Sequence, residues 1–96
     1  MRATVYHGPG DMRIDQVPDP IIEAPTDVIA RITHAGICGS DLWSYRGIDQ
    51  RALGDRMGHE WMGMVEEVGA HVPSDIKKGD RVISFLDIGW HMRVLS

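Results

Sequence analysis

Alternating apolar and polar positions predict a chain built mainly of short strands. Residues 2–7 (RATVYH) are compatible with a first strand, and residues 8–11 (GPGD) form a turn signal in which glycine can adopt a positive φ. Residues 12–17 (MRIDQV) then alternate with a period of two. This period predicts a half-buried strand that contains Met12 and Ile14 and returns beside the first one.

Three prolines between residues 18 and 26 predict a stiff connection without regular structure. Residues 27–34 (DVIARITH) are the clearest strand, with Val28, Ala30 and Ile32 on one face. In residues 35–40 (AGICGS) two glycines flank a cysteine, which indicates a tight turn of the backbone.

A short helix is predicted from Asp41 to Arg46, ending at Gly47 as a left-handed C-cap. Residues 48–57 are mixed and charged, which is typical of a loop. Further strands are predicted at 61–68 and, after the turn signal KKGD at 77–80, at 81–85. Residues 86–96 are apolar without a clear period. The pattern favours a small barrel or sandwich with little helix.

Composition narrows the class of protein. The chain has 96 residues, which is one small domain at most, and a net charge of −4. Its ten basic residues form no basic stripe that could neutralise phosphates, so we expect no nucleic-acid partner. No run approaches transmembrane length and the N-terminus has no signal-peptide core, so we expect no membrane partner and a cytoplasmic location. The single cysteine, Cys38, excludes an intrachain disulfide and a four-thiolate zinc site within this chain.

Three side chains are chemically suited to hold a metal. Cys38 offers a thiolate, and His59 and Glu60 follow after a gap of 20 residues. All three lie near glycines, and zinc accepts sulfur, imidazole nitrogen and carboxylate oxygen. Spacing alone leaves the alternative open, because a lone cysteine is often a small buried hydrophobic residue and a histidine–glutamate pair is often solvated.

Several segments together resemble one family. GICGSDLWSYRG, MGHEWMGMVEEVG, the start MRATVYHGPGDMRIDQVPDP and the turn KKGDRVIS resemble, in order, the zinc-dependent alcohol dehydrogenases of the medium-chain dehydrogenase/reductase family. The resemblance implies the N-terminal catalytic domain of that family, a mainly β, chaperonin-10-like (GroES-like) β-barrel with short helices, here incomplete. The match extends over residues 1–84, and we expect 85–96 to be a divergent C-terminal tail.

The resemblance also implies roles for individual residues. Cys38 and His59 match the first two catalytic zinc ligands, and Glu60 matches a carboxylate that ligates the metal in some states. Ser40 matches the hydroxyl that takes the proton from the alcohol, and Asp41 matches the carboxylate that orients the histidine. Zn²⁺ is the implied metal, with NAD or NADP in full-length relatives, and the implied substrate is a small alcohol or carbonyl compound.

Departures from the family pattern affect what this chain can do. It contains no strand followed by G-x-G-x-x-G, so the nicotinamide-binding domain is absent from these residues. The third zinc ligand would come from beyond residue 96, and Trp43, which cannot relay a proton, stands where many relatives carry a histidine. We therefore expect a truncated product, a fragment or a frameshifted product. The remaining four histidines are weaker metal candidates: His7, His34, His71 and His91.

Three functions remain open on this evidence. The leading hypothesis is the zinc-binding part of an NAD(P)-dependent alcohol dehydrogenase, inactive alone. The alternative is a non-catalytic metal-binding or chaperonin-10-like interaction module. A metal-free quinone reductase ranks below both, since that branch generally lacks the cysteine and the His-Glu pair. Exposed apolar residues near the C-terminus predict self-association into a homo-oligomer: Ile83, Phe85, Leu86, Ile88 and Trp90.

Overall fold

The computed structural model describes residues 1–84 and the backbone course of residues 92–95. Over these residues the elements are β1 (Arg2–Tyr6), β2 (Met12–Gln16), β3 (Val28–Gly36), α1 (Asp41–Tyr45), β4 (Glu60–Val68), β5 (Arg81–Ile83) and β6 (Met92–Leu95). The described strands form two sheets, one ordered β1-β2 and the other ordered β5-β4-β3-β6. The mainly β fold class predicted from the sequence is confirmed.

The first two strands form the predicted hairpin. β1 pairs antiparallel with β2, with Thr4 opposite Ile14. Between them Gly8 and Gly10 have φ values of 132° and 74°, which a side chain would strain. The expectation that β2 is half buried is wrong at Ile14, which is 65% exposed. Ile14 lines an open cavity, so its face of the hairpin is not covered by the described residues.

β3 and β4 form the centre of the larger sheet and carry most of the core. Each has nine residues and they pair antiparallel, and β3 extends two residues beyond the predicted end at His34. The strict alternation expected along β3 fails at its start, because Ile29 is as buried as Val28 and Ala30. The register shift between Ile29 and Ala30 has its extra residue, Glu66, on β4, so it does not change the direction of the β3 side chains. Because successive side chains of a strand point to opposite faces, both faces of the sheet are covered at the start of β3.

The two outer strands of this sheet differ from expectation. β5 begins at Arg81 as predicted but ends at Ile83, because Ser84 is no longer in the strand. Phe85, the predicted last residue, lies outside the described residues. β6 pairs in parallel with the start of β3, although no alternating pattern predicts a strand in that segment. The domain boundary predicted between residues 84 and 85 lies next to residues 85–91, which are outside the described part of the chain. Ser96 is also outside it.

An ion pair across the exposed face links β3 to β4. The Arg31 guanidinium donates hydrogen bonds of 2.8 and 3.1 Å to the two carboxylate oxygens of Glu66. These bonds lower the pKa of Glu66 below its ordinary value of 4.5 and raise the pKa of Arg31. Because the folded-state pKa is the lower one, the pair stabilises the fold above the unfolded pKa, and that stabilisation is lost as pH falls through the folded pKa.

Replacing Glu66 by glutamine should therefore lower stability slightly at neutral pH and hardly at all in acid, where wild-type Glu66 is itself neutral. The effect is small because the pair is solvent-exposed. Urea unfolding of wild type and Glu66→Gln at neutral pH and at a pH below the carboxyl pKa measures it. A difference between the two proteins that is the same at both pH values would contradict this account.

Candidate metal centre

Strand pairing brings the two candidate segments together. Gly36, the last residue of β3, pairs with Glu60, the first residue of β4. Cys38 follows two residues after Gly36, and His59 immediately precedes Glu60. The last residues of one strand and the first residues of its antiparallel neighbour lie side by side at the same end of the strand pair. Residues separated by 20 positions in sequence therefore become neighbours.

The loop that carries Cys38 is held by Asp41. The backbone N–H of Cys38 donates to Asp41 Oδ2 at 3.0 Å, and the backbone N–H of Asp41 donates back to the Cys38 carbonyl at 3.0 Å. Asp41 opens α1, and Ser40 at the helix N-cap makes no side-chain capping bond. The Asp41 carboxylate therefore closes the turn after Cys38 by accepting from the backbone N–H three residues earlier in the chain.

The same carboxylate faces the histidine. His59 Nδ1 lies 3.2 Å from Asp41 Oδ1, and both side chains are largely shielded, at 29% and 18% exposure. A carboxylate beside Nδ1 favours the tautomer that carries its proton there. Nε2 then keeps its lone pair, which is the state a metal requires of a histidine ligand.

The three candidate ligands form one cluster. One donor atom each from Cys38, His59 and Glu60 lies within 4.8 Å of the other two. Cys38 and His59 are half-buried and Glu60 is exposed. In the part of the chain that the structure describes, this is the group of three such side chains that could hold a metal.

The donor set fits zinc. Tetrahedral Zn²⁺ with bonds of about 2.0–2.3 Å places neighbouring ligand atoms about 3.3–3.8 Å apart. The separations here, up to 4.8 Å, need only small side-chain rotations to reach that range. Sulfur, imidazole and carboxylate together suit zinc better than the hard, all-oxygen sites preferred by Mg²⁺ or Ca²⁺.

The other residues singled out in the sequence are not members of this ligand cluster. Ser40 is exposed at the start of α1, and Trp43 is 56% exposed on the helix rather than packed in the core. His7 pairs with Asp15 at 2.5 Å, and His34 contacts the Thr33 hydroxyl. His71 is exposed in a turn, and His91 lies outside the described residues.

Two features near the cluster were not predicted. Ser84, just after β5, bonds through its side-chain hydroxyl to the backbone on both sides of Glu60. A cavity of about 530 Å³, lined by Glu60, Ile14, Met57 and Trp61 among others, opens beside the glutamate. Neither had a sequence signal, because the first depends on the β4–β5 register and the second on how the two sheets face each other.

Comparison with known proteins identifies the family to which the chain is similar. Residues 24–91 match the family model described as the alcohol dehydrogenase GroES-like domain. The chain is 44% identical over 84 residues to a zinc-type alcohol dehydrogenase of Aspergillus flavus, covering 88% of this chain and 19% of that protein. It is 46% identical over 84 residues to an uncharacterized zinc-type alcohol dehydrogenase-like protein of Bacillus subtilis, covering 86% of this chain and 22% of that protein.

A solved structure of an alcohol dehydrogenase has a similar fold over the matched residues. An alcohol dehydrogenase from Thermus sp. ATN1 superposes with a TM-score of 0.82 at 38% identity, over 86% of this chain and 24% of that one. The fold is thus that of a GroES-like domain of the kind found in alcohol dehydrogenases. The chain belongs to the alcohol dehydrogenase GroES-like domain family, and it spans about a fifth of the length of the curated relatives named above.

No helix in the described part of the chain is long and apolar enough to cross a membrane. The cytoplasmic location stays a prediction from the sequence.

Proposed function

We propose that Cys38, His59 and Glu60 hold a catalytic zinc ion in the catalytic domain of an NAD(P)-dependent alcohol dehydrogenase. The observation that carries the proposal is the convergence of the three donor atoms within 4.8 Å, where β3 ends and β4 begins. When bound, the metal supplies Lewis acidity toward an alcohol or carbonyl oxygen. The substrate class is a small alcohol oxidised to, or formed from, an aldehyde or ketone.

The protein residues have separate tasks in this proposal. The Cys38 thiolate and the His59 imidazole are permanent ligands, and Asp41 keeps the His59 proton on Nδ1. The Glu60 carboxylate is exposed, which suits a ligand that leaves when another group enters. The Ser40 hydroxyl both donates and accepts, so it can take a proton from a substrate hydroxyl and pass one to solvent.

We further propose that residues 1–84 form this catalytic module and that the 96-residue chain alone does not transfer hydride. These 96 residues contain no G-x-G-x-x-G segment that could seat a dinucleotide. The nicotinamide, whether NAD or NADP, would be held by residues outside this chain. Self-association stays a prediction: Ile83 is 58% exposed, and Phe85, Leu86, Ile88 and Trp90 lie outside the described residues.

Native mass spectrometry of the 96-residue chain with zinc, followed by an assay with zinc, cofactor and simple alcohols, tests both statements. We expect one zinc ion per chain and no turnover. The dehydrogenase assignment is supported if the isolated chain binds zinc without turnover, and if a full-length relative with residues 1–84 in place of its own matching segment does turn over. Absence of zinc from the folded chain would favour the non-catalytic interaction module, and robust turnover by the chain alone would contradict the second proposal.

Asparagine in place of Asp41 should weaken zinc binding by about 10- to 100-fold, the usual cost of losing a partner that orients a ligand. Asp41 presents one oxygen to the Cys38 N–H and the other to His59 Nδ1. An amide has a single acceptor oxygen, so it can serve only one of these two groups. Chelator competition measures the affinity, with Asp55→Asn in the exposed loop as control. An Asp41→Asn chain that binds zinc as tightly as wild type would contradict this role.

A further inference from the structure

Ser84 makes three hydrogen bonds at the start of β4. Its backbone N–H donates to the Trp61 carbonyl at 2.9 Å, which continues the ladder between β4 and β5. Its Oγ accepts the Trp61 N–H at 3.1 Å and donates to the carbonyl of His59. The side chain thus contacts the backbone on both sides of Glu60.

The strand ladders do not themselves reach His59. Paired residues of β4 and β5 end at Met62 and Ile83, and the pairing of β4 with β3 ends at Glu60. His59 lies one residue before the strand and follows Gly58, whose φ is 101°. Glycine adopts that φ without steric cost, so Gly58 permits the turn but has no side chain with which to hold His59. The hydroxyl of Ser84 is what ties the His59 carbonyl to the sheet.

His59 is therefore held from two sides. Asp41 faces its imidazole at Nδ1, and Ser84 binds its backbone carbonyl. A site of this kind must hold its ligands within about 0.5 Å of the productive geometry, which requires supporting hydrogen bonds. Serine suits the position because one short hydroxyl both accepts from an N–H and donates to a C=O.

We propose that Ser84 is a positioning residue for the metal centre, which orients the His59-Glu60 dipeptide through its backbone. This inference rests on the zinc-binding function proposed above. It predicts that the hydroxyl of Ser84, rather than strand pairing alone, sets how tightly the site binds zinc. The backbone bond from Ser84 to Trp61 is retained in any substitution except proline, so an alanine variant isolates the hydroxyl.

The test compares zinc affinities of four forms of the 96-residue chain by competition with a chromophoric chelator. Ser84→Ala should bind about tenfold more weakly, at the lower end of the range for lost supporting hydrogen bonds. Ser84→Thr keeps the hydroxyl and should restore affinity to within about threefold of wild type. Thr33→Val is the matched control, because Thr33 Oγ1 donates to the Met62 carbonyl of the same strand at 3.3 Å without contacting His59. Its zinc affinity should be unchanged.

Amide hydrogen exchange in the metal-free chain provides a second readout. The Trp61 amide should exchange faster in Ser84→Ala than in wild type and Thr33→Val, because it loses its acceptor. Ser84→Ala with wild-type affinity would overturn the positioning role while leaving the zinc site in place. Equal weakening in Thr33→Val would also overturn it, since general loosening of β4 would then be the cause. A wild-type chain that binds no zinc would defeat the proposed function and this inference together.

Discussion

Alanine in place of Gly63 is expected to cost about 3 kcal/mol of stability, the upper part of the range for overpacking a tightly packed site. Gly63 is buried in β4, between Ile32 of β3 and Val82 of β5. A Cβ there would lie 2.2 Å from the Arg31 carbonyl oxygen and 2.9 Å from its carbon. Both are backbone atoms of the paired strand, so the clash can be relieved only by moving β3 away from β4.

Such a movement would separate the strands that bring the metal ligands together. Total stability of a small domain is about 5–15 kcal/mol, so Gly63→Ala should lower the urea midpoint by a large fraction or prevent folding. Gly39→Ala is the control, because a Cβ there would meet no atom within 4 Å and its φ is not in the left-handed region. Circular dichroism during urea unfolding measures both variants without metal. A Gly63→Ala chain as stable as wild type would contradict the observed strand packing.

Serine in place of Cys38 is expected to weaken zinc binding by about two to three orders of magnitude. Zinc sites built from four protein ligands contribute about 10–16 kcal/mol, so an average ligand accounts for about 2.5–4 kcal/mol. A serine hydroxyl has nearly the size of the thiol but remains neutral near pH 7, so it offers no anionic ligand. The turn should persist, because Asp41 binds the backbone N–H of residue 38 and not its side chain.

Ile37→Ser is the control for this variant. Ile37 is 82% exposed and adjacent to Cys38, so it receives the same substituent without loss of a proposed ligand. Chelator competition gives both affinities, and circular dichroism verifies that both chains fold. Cys38→Ser with zinc affinity within about threefold of wild type would mean that the thiolate is not a ligand, since even a lost supporting contact usually costs more.

The sequence predicted local structure best at positions where the conformation depends on one residue, in particular on a glycine. The turn at Gly8–Asp11, the helix stop at Gly47 and the turn before Asp80 all appear where glycine permits a positive φ. These positions depend on the backbone of one residue, so no distant contact can change them easily. The pairing of β1 with β2 followed from the short turn between them.

What the sequence could not predict depends on distant contacts. β6 has no alternating pattern, and only its parallel pairing with β3 defines it as a strand. Ile14 alternates like a buried residue yet is exposed, because burial requires a covering element that local sequence cannot indicate. Cys38 and His59 were singled out through donor chemistry and family resemblance. Ser84 was missed because its bonds to His59 and Trp61 arise only from the register of β5 on β4.

Every role proposed for the site requires that Cys38 and His59 bind one metal ion together. Cobalt(II) titration of the folded 96-residue chain, followed by absorption spectroscopy, tests it directly. We predict saturation at one cobalt per chain, with a near-ultraviolet band from sulfur-to-cobalt charge transfer. That band should vanish in Cys38→Ser, and the visible bands should weaken in His59→Gln. A folded chain that gives no sulfur-to-cobalt band, or one whose spectrum is unchanged in His59→Gln, would contradict the shared site.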